Sequence, residues 1–460
     1  MSQNPSAQPH PEHDEERGLQ ETLRYPLFDA LRNRRTRRVA KGIQSIPAGS
    51  LSYTSKHEPE PLTPLEEALL IASTGITGVT LPDQPFLTED GKPLVGSPMV
   101  DVIGRTAGSP DNAQATSFFL INDSGTYFLR RPQGDDALML AGGQLTAARL
   151  IAYAEKCKVK VSDKRIEFPR QYPYYMGRNR YMSNVPGSTI LVPVVDLTRQ
   201  YINGIMFLLT QDAGHRPTFI DDWNFYRVAG VQKWVRNGFL NKDQKIPLGV
   251  LGTARIPYEA DFLMQNIFLV AEAMGLGAWI HAAFIGPVLL GDPEYRNAGN
   301  SLRFRYHTPR NLVRQALKFI SPLPSWRPNP VGLDGLMQGY CPPYYGSMDE
   351  AVDALIAHKY GPNGLYNNPK DFEQVFKPGL AQKFISEVPH YSEEVIACAK
   401  DVCNYIYETY DRFPAHADAM FVPGVWIQMH HLDLDYYDQL FSNGYSETQA
   451  RHEELWHGRR

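Results

Sequence analysis

The chain has 460 residues, of which 43% are hydrophobic and 21% charged, and its formal net charge is −4. That balance belongs to a globular protein with room for two domains or one elaborated domain, and it argues against a dedicated nucleic-acid binder, whose affinity rests on a broad basic surface. The four cysteines (Cys157, Cys341, Cys398 and Cys403) form no CxxC pair. Neither a disulfide framework nor a zinc knuckle is expected, and a cytoplasmic setting is the simplest home.

In chain order, residues 1–20 are polar and read as a disordered tail without the apolar segment of a signal peptide. Residues 24–40 start helical and turn extended, and they carry the run Arg32-Asn33-Arg34-Arg35-Thr36-Arg37-Arg38. Thr63 is a natural N-cap for a helix over 64–72, with Pro64 at its first position and Glu66 and Glu67 in its first turn. Residues 79–111 read as loop. Residues 117–121 and 126–129, joined by Asn122-Asp123-Ser124-Gly125, predict a β-hairpin. Residues 144–156 read as helix and 189–195 as strand; 204–210 is apolar but ambiguous. The longest apolar stretch, 266–290, is interrupted by Glu272, His281 and several glycines, so it reads as a buried helix over 261–277 rather than a membrane span. From about residue 328, short helices alternate with Pro/Gly loops, and no long strand is expected.

Guanidiniums clustered with a hydroxyl suit a phosphate. Further on, Ser109-Pro110-Asp111-Asn112-Ala113-Gln114 runs straight into a predicted strand, and Gln265-Asn266-Ile267-Phe268-Leu269-Val270-Ala271-Glu272-Ala273-Met274-Gly275-Leu276-Gly277 follows. Taken in this order, the three stretches resemble motifs of the FMN-dependent nitroreductase family. The resemblance covers roughly residues 25–130 and 250–290. It implies an α+β fold with an antiparallel-rich central sheet flanked by helices, and a homodimer. It implies FMN as cofactor, with Arg34, Arg35, Thr36 and Arg38 at the phosphate and Ser109, Asn112 and Gln114 along the flavin. The activity implied is that of a cytoplasmic oxidoreductase passing hydride through the flavin to or from a specialised organic substrate, with NAD(P)H or oxygen as partner. The family's Pro-Trp after the Gln is Ala115-Thr116 here.

On this reading residues 21–327 form the flavin domain, with an insertion at about 131–250, and 328–460 form a largely helical C-terminal extension. The insertion is aromatic and basic, and Tyr174, Tyr175, Arg178, Trp223 and Tyr226 are its candidates for lining a substrate pocket. No residue is singled out as catalytic, because the flavin would carry the chemistry. Two alternatives stand beside this. One is a flavin-free scaffold on the same core. The other is a metal-dependent enzyme using His416, His430, His431, Asp433 and Asp435, since His and Asp at this density suit zinc or iron. For His430 and His431 the plainer reading is a helix with polar caps and a buried His pair, with no metal.

Overall fold

The computed structural model describes residues 11–83, 86–212, 214–251, 256–297, 299–310, 328–414, 416–418 and 424–459. The polar N-terminal stretch is not featureless: Pro11–Arg24 form helix α1, while residues 1–10 lie outside the described residues. Leu27–Asn33 form α2, after which the arginine run is extended. Helix α3, Pro64–Ala72, starts as its sequence predicts. The Thr63 hydroxyl accepts from the Glu66 N–H, and the Glu66 carboxylate accepts from the Thr63 N–H, closing a capping box. Two further helices matter for the core: α4, Ala147–Cys157, and α5, Thr198–Leu209. The ambiguous stretch 204–210 thus belongs largely to a helix. Its Ile202, Ile205, Met206 and Leu209 recur at helical spacing and are buried.

The central sheet is wholly antiparallel. Its strands are β1 (Thr116–Asn122), β2 (Gly125–Leu129), β3 (Lys158–Ser162), β4 (Thr189–Asp196), β5 (Gly277–Phe284), β6 (His416–Asp418) and β7 (Gly424–His430). They run in the order β5-β7-β4-β1-β2-β3, with β6 also pairing β4. Strand β7 comes from the stretch expected to be a strand-poor extension, yet it lies between β5 and β4. The hairpin β1–β2 pairs Asn122 with Gly125, leaving Asp123 and Ser124 as its loop. A Cβ at Gly125 would sit 2.4 Å from the Ser162 carbonyl oxygen, which explains the glycine.

Both faces are covered at the centre of this sheet, so β1, β4 and β7 read as largely continuous apolar runs, whereas the edge strand β3 alternates. Phe118, Leu120, Leu191, Ile427 and Met429 face α3, α4 and the long helix α6, Pro257–Met274. Gly275 ends α6 in the left-handed conformation, as the glycines in the sequence suggest. Phe119, Ile121, Ile190, Val192 and Trp426 point the other way, into a second layer with Tyr175, Phe284 and Phe304. A further core forms where α5 meets α7 (Met348–Tyr360) and α8 (Glu393–Tyr410). The architecture is therefore α+β, a mixed assembly of mainly antiparallel sheets flanked by helices with a mostly helical C-terminal third. No helix among the described residues is long and apolar enough to cross a membrane. Past β7 the chain forms three short helices, α9 (Leu434–Leu440), α10 (Glu447–Ala450) and α11 (His452–His457). They return to the core, where Trp456 packs face-on against Gly18 of α1.

Candidate metal centre

Four side chains from three separate parts of the chain converge beneath α11. Glu66 comes from the first turn of α3, His431 from the residue after β7, and His452 and His457 from the two ends of α11. Their side chains are 0%, 2%, 5% and 8% exposed, respectively. His431 Nε2 lies 3.2 Å from Glu66 Oε2, while His452 Nε2 and His457 Nε2 lie 3.0 Å and 3.5 Å from Oε1. The three imidazole rings sit 5.0–5.4 Å apart, centre to centre.

The remaining ring nitrogens show what the converging ones carry. His431 Nδ1 is 3.2 Å from the Glu60 carbonyl oxygen, and His452 Nδ1 is 2.8 Å from that of Met274. A carbonyl only accepts, so both Nδ1 atoms hold a proton and donate. In the neutral ring this leaves the Nε2 lone pair facing the carboxylate. His452 Nε2 and His457 Nε2 make no aligned hydrogen bond despite their closeness to Glu66. Lone pairs aimed at one point among acceptors, in rings oriented from behind by backbone carbonyls, are what a cation requires. Protons serve less well, because three imidazoliums around one carboxylate would bury an excess of positive charge. Burial pushes the Glu66 carboxyl up; positive charge or donors on the facing imidazoles bring it well below the usual range, and a cation at the same point would keep it an anion in the same way.

Glu60 and Glu453 lie beside His457 and form a second cluster of ligand type. That position is already answered by cations. Lys41 Nζ is 2.5 Å from Glu60 and 2.7 Å from Glu453, and the Arg459 guanidinium is 2.6 Å and 3.4 Å from the same pair. The Glu66 set therefore has an ion-paired rim beside it.

Of the C-terminal residues singled out from sequence, only His431 reaches this centre. The two adjacent histidines end a strand rather than sit in a helix, so they point to opposite faces. His430 is buried against Gly277 on the other side of the sheet, with neither ring nitrogen partnered among the described residues. Asp433 caps α9 and accepts from the Tyr53 and Ser55 hydroxyls, and Asp435 pairs with His57 at 3.2 Å; with His57 the two aspartates form a separate, more exposed ligand-type group. His416 starts β6, in register with Asp196 at the end of β4.

The residues assigned to FMN do not assemble into one site. Arg35, Thr36 and Arg38 border a cavity of about 820 Å³ together with Arg178 and Tyr436. Ser109, Asn112 and Gln114 line a different one of about 560 Å³. Their polar atoms serve the chain itself. Ser109 donates to Glu259, Gln114 to Asn112, and Asn112 to the Asp101 carbonyl. Arg34 lies 4.7 Å above the Phe268 ring and Arg38 5.6 Å above Trp279, while Arg35 donates to the Arg32 and Arg34 carbonyls. Arg37 is buried 3.0 Å from Glu272. The substrate candidates scatter in the same way. Tyr175 is buried against His281, Tyr174 stacks on Phe168, and Trp223 and Tyr226 lie on an exposed turn where Trp223 meets Tyr410. The expectation of an FMN-dependent flavoprotein oxidoreductase is therefore corrected: of the three ligand-type groups among the described residues, the most buried is the Glu66–His431–His452–His457 set, which suits a metal ion and not a flavin.

Sequence reasoning missed Glu66, His452 and His457. Glu66 was legible only as an acid in the first turn of a helix. His452 and His457 are five apart on a short helix and match no metal motif; the signal available was that four of the chain's 13 histidines fall between 430 and 457. No family model matches the chain, and no curated protein matches it.

Proposed function

We propose that this is a metal-dependent protein built around a mononuclear centre for a borderline divalent ion, zinc first, held by Glu66, His431, His452 and His457. The observation that carries this is the convergence of three Nε2 atoms on one buried carboxylate, two of them in rings whose Nδ1–H groups donate to backbone carbonyls. Imidazole and carboxylate donors without thiolate suit Zn(II), Fe(II) or Ni(II) over soft ions. Four protein ligands in a nearly sealed site make the ion a clamp, joining α3, the end of β7 and α11. A second reading, catalytic, is favoured by the donor set. Structural zinc sites are mostly thiolate-rich, whereas sets of His with one carboxylate are typical of catalytic zinc. In that case Glu66, already engaged through Oε2 by the Thr63 N–H, is the ligand to yield a coordination position to water. The nitroreductase-like motifs, on this proposal, mark a shared scaffold and not a shared cofactor.

The test is elemental analysis of the full chain after dialysis, followed by zinc titration of chelator-treated protein. About one transition ion per chain, lost in a His431→Ala/His452→Ala double variant, supports the centre. Native protein that takes up no Zn(II), Fe(II) or Ni(II) sinks it. An ion whose removal lowers melting temperature and leaves activity intact selects the clamp; activity lost with melting unchanged selects catalysis.

A further inference from the structure

A cavity of about 240 Å³ sits at one end of the central sheet and shares no lining residue with the metal centre. The pairing of Phe118 with Leu129 and of Thr116 with Val195 brings the start of β1, the end of β2 and the end of β4 to this point. Arg130 and Arg131 follow β2, and Asp196 and Arg199 lie where β4 gives way to α5; all four line the cavity. Phe128, Leu336 and Met337 supply an apolar part of the wall and belong to the second core layer.

Arg131 is the group left with donors to give. Its side chain is 34% exposed, and it makes no hydrogen bond with any described residue. Its ion-pair partner, Asp101 Oδ2, lies 3.6 Å from Nη1, beyond hydrogen-bond reach, and the same oxygen is 3.9 Å from Arg199 Nη2. Two planar forks thus approach one point without closing a bond on it. Arg199 otherwise donates to the Ala113 carbonyl at 2.6 Å, and Arg130 to the Lys156 carbonyl at 3.0 Å. Asp196 is engaged by the Thr198 N–H and hydroxyl, at 2.8 Å and 2.7 Å. The neighbouring charges cancel in pairs, Arg105 with Glu259 at 3.7 Å and Lys156 with Asp136 at 3.0 Å. Three guanidiniums are therefore set against two carboxylates, Asp101 and Asp196. Burial lowers the Arg131 pKa most, with Asp101 opposing and Arg199 adding to the drop. A guanidinium keeps its proton regardless, so an anion relieves the cost of its burial where deprotonation cannot.

We infer that this cavity binds a short-chain organic carboxylate, its oxygens taken by the Arg131 fork beside Arg199 and its carbon chain laid against Phe128, Leu336 and Met337. A planar carboxylate matches the guanidinium fork, its single negative charge matches the surplus, and the small volume keeps the chain short.

Isothermal titration of the full chain with butyrate, at low salt, tests this, with butylamine, butanol and inorganic phosphate as counter-probes. Saturable butyrate binding at one per chain is expected, with phosphate weaker because it has no chain for the apolar wall. R131Q should weaken butyrate binding by about tenfold or more, and R131K, which keeps a charge opposite Asp101 but loses the fork, by less. Neither variant removes a hydrogen bond from the described fold. Dependence on Arg131 also separates this site from a carboxylate drawn to the metal centre, whose ligands lie elsewhere. R32Q, which removes an exposed charge paired with Asp29, should leave the affinity unchanged. Absence of saturable butyrate binding overturns the inference, as does binding of butylamine, butanol or phosphate as tight as that of butyrate. Unchanged affinity in R131Q, or an equal loss in R32Q, overturns it equally.

Discussion

Removing His452 is the sharpest test of the metal centre. The side chain does two things: Nε2 points at the Glu66 carboxylate, and Nδ1 donates to the Met274 carbonyl at the end of α6. Apparent zinc binding energies of closed four-ligand centres are about 10–16 kcal/mol, so one ligand in four carries roughly 3–4 kcal/mol. His452→Ala should therefore weaken zinc binding by a factor of about 10²–10³. Competition against a chromophoric chelator of known affinity measures this directly. His457→Ala provides the companion, since its Nε2 also faces Glu66. His430→Ala provides the control, since that imidazole lies against Gly277 on the opposite face. Native-like zinc affinity in both His452→Ala and His457→Ala would refute the reasoning. So would an equal loss in His430→Ala, because the effect would then track the C-terminal segment's folding and not its ligands.

Three further outcomes follow from the packing and charge of the rest of the chain. Arg37→Ala strands the Glu272 carboxylate, 3% exposed, and should destabilise the protein by about 3–5 kcal/mol in urea unfolding, whereas Arg34→Ala, which loses only its contact with Phe268, should cost about 1 kcal/mol or less. Equal effects of the two would contradict the structural assignment of the arginine run. Burial pushes His281 and His430 from 6.5 down to about 3, so between these limits the unfolded chain takes up protons that the native state refuses. Stability should then fall as pH drops below 6.5, by up to about 1.4 kcal/mol per pH unit for each histidine. Glu66 adds in the same sense: its lowered carboxyl contributes stability present above 4.5 and lost as pH falls below that value. Urea midpoints that do not change between pH 7 and pH 4.5 would count against the two histidines, whereas the Glu66 share is read below pH 4.5. Finally, Gly18→Ala places a Cβ 2.4 Å from the Trp456 ring, and it should lower the melting temperature through about 1–3 kcal/mol of overpacking; an unchanged melt would mean that α1 and α11 do not dock.

What the sequence determined by itself was local. The N-cap at Thr63, the β1–β2 hairpin and the long helix ending near Gly275 are all fixed by chemistry within a few residues, and each was legible. The apolar stretch around 204–210 was ambiguous, because short apolar runs look alike in a helix and a strand; packing against α7 and α8 decided it. The same limit hid β7. Its seven residues are all buried, and only pairing with β5 and β4 marks Gly424–His430 as a central strand. The strand in turn decided which histidine matters, since its alternation sends His430 and His431 to opposite faces. Glu66 and His452 are 386 positions apart in the chain, and no spacing rule links them. Motifs are read from neighbours in sequence, whereas a ligand set is made by neighbours in space. Only when α11 folds back beneath α1 and onto the first turn of α3 do one carboxylate and three imidazoles share a point, and that is a decision of the tertiary structure alone.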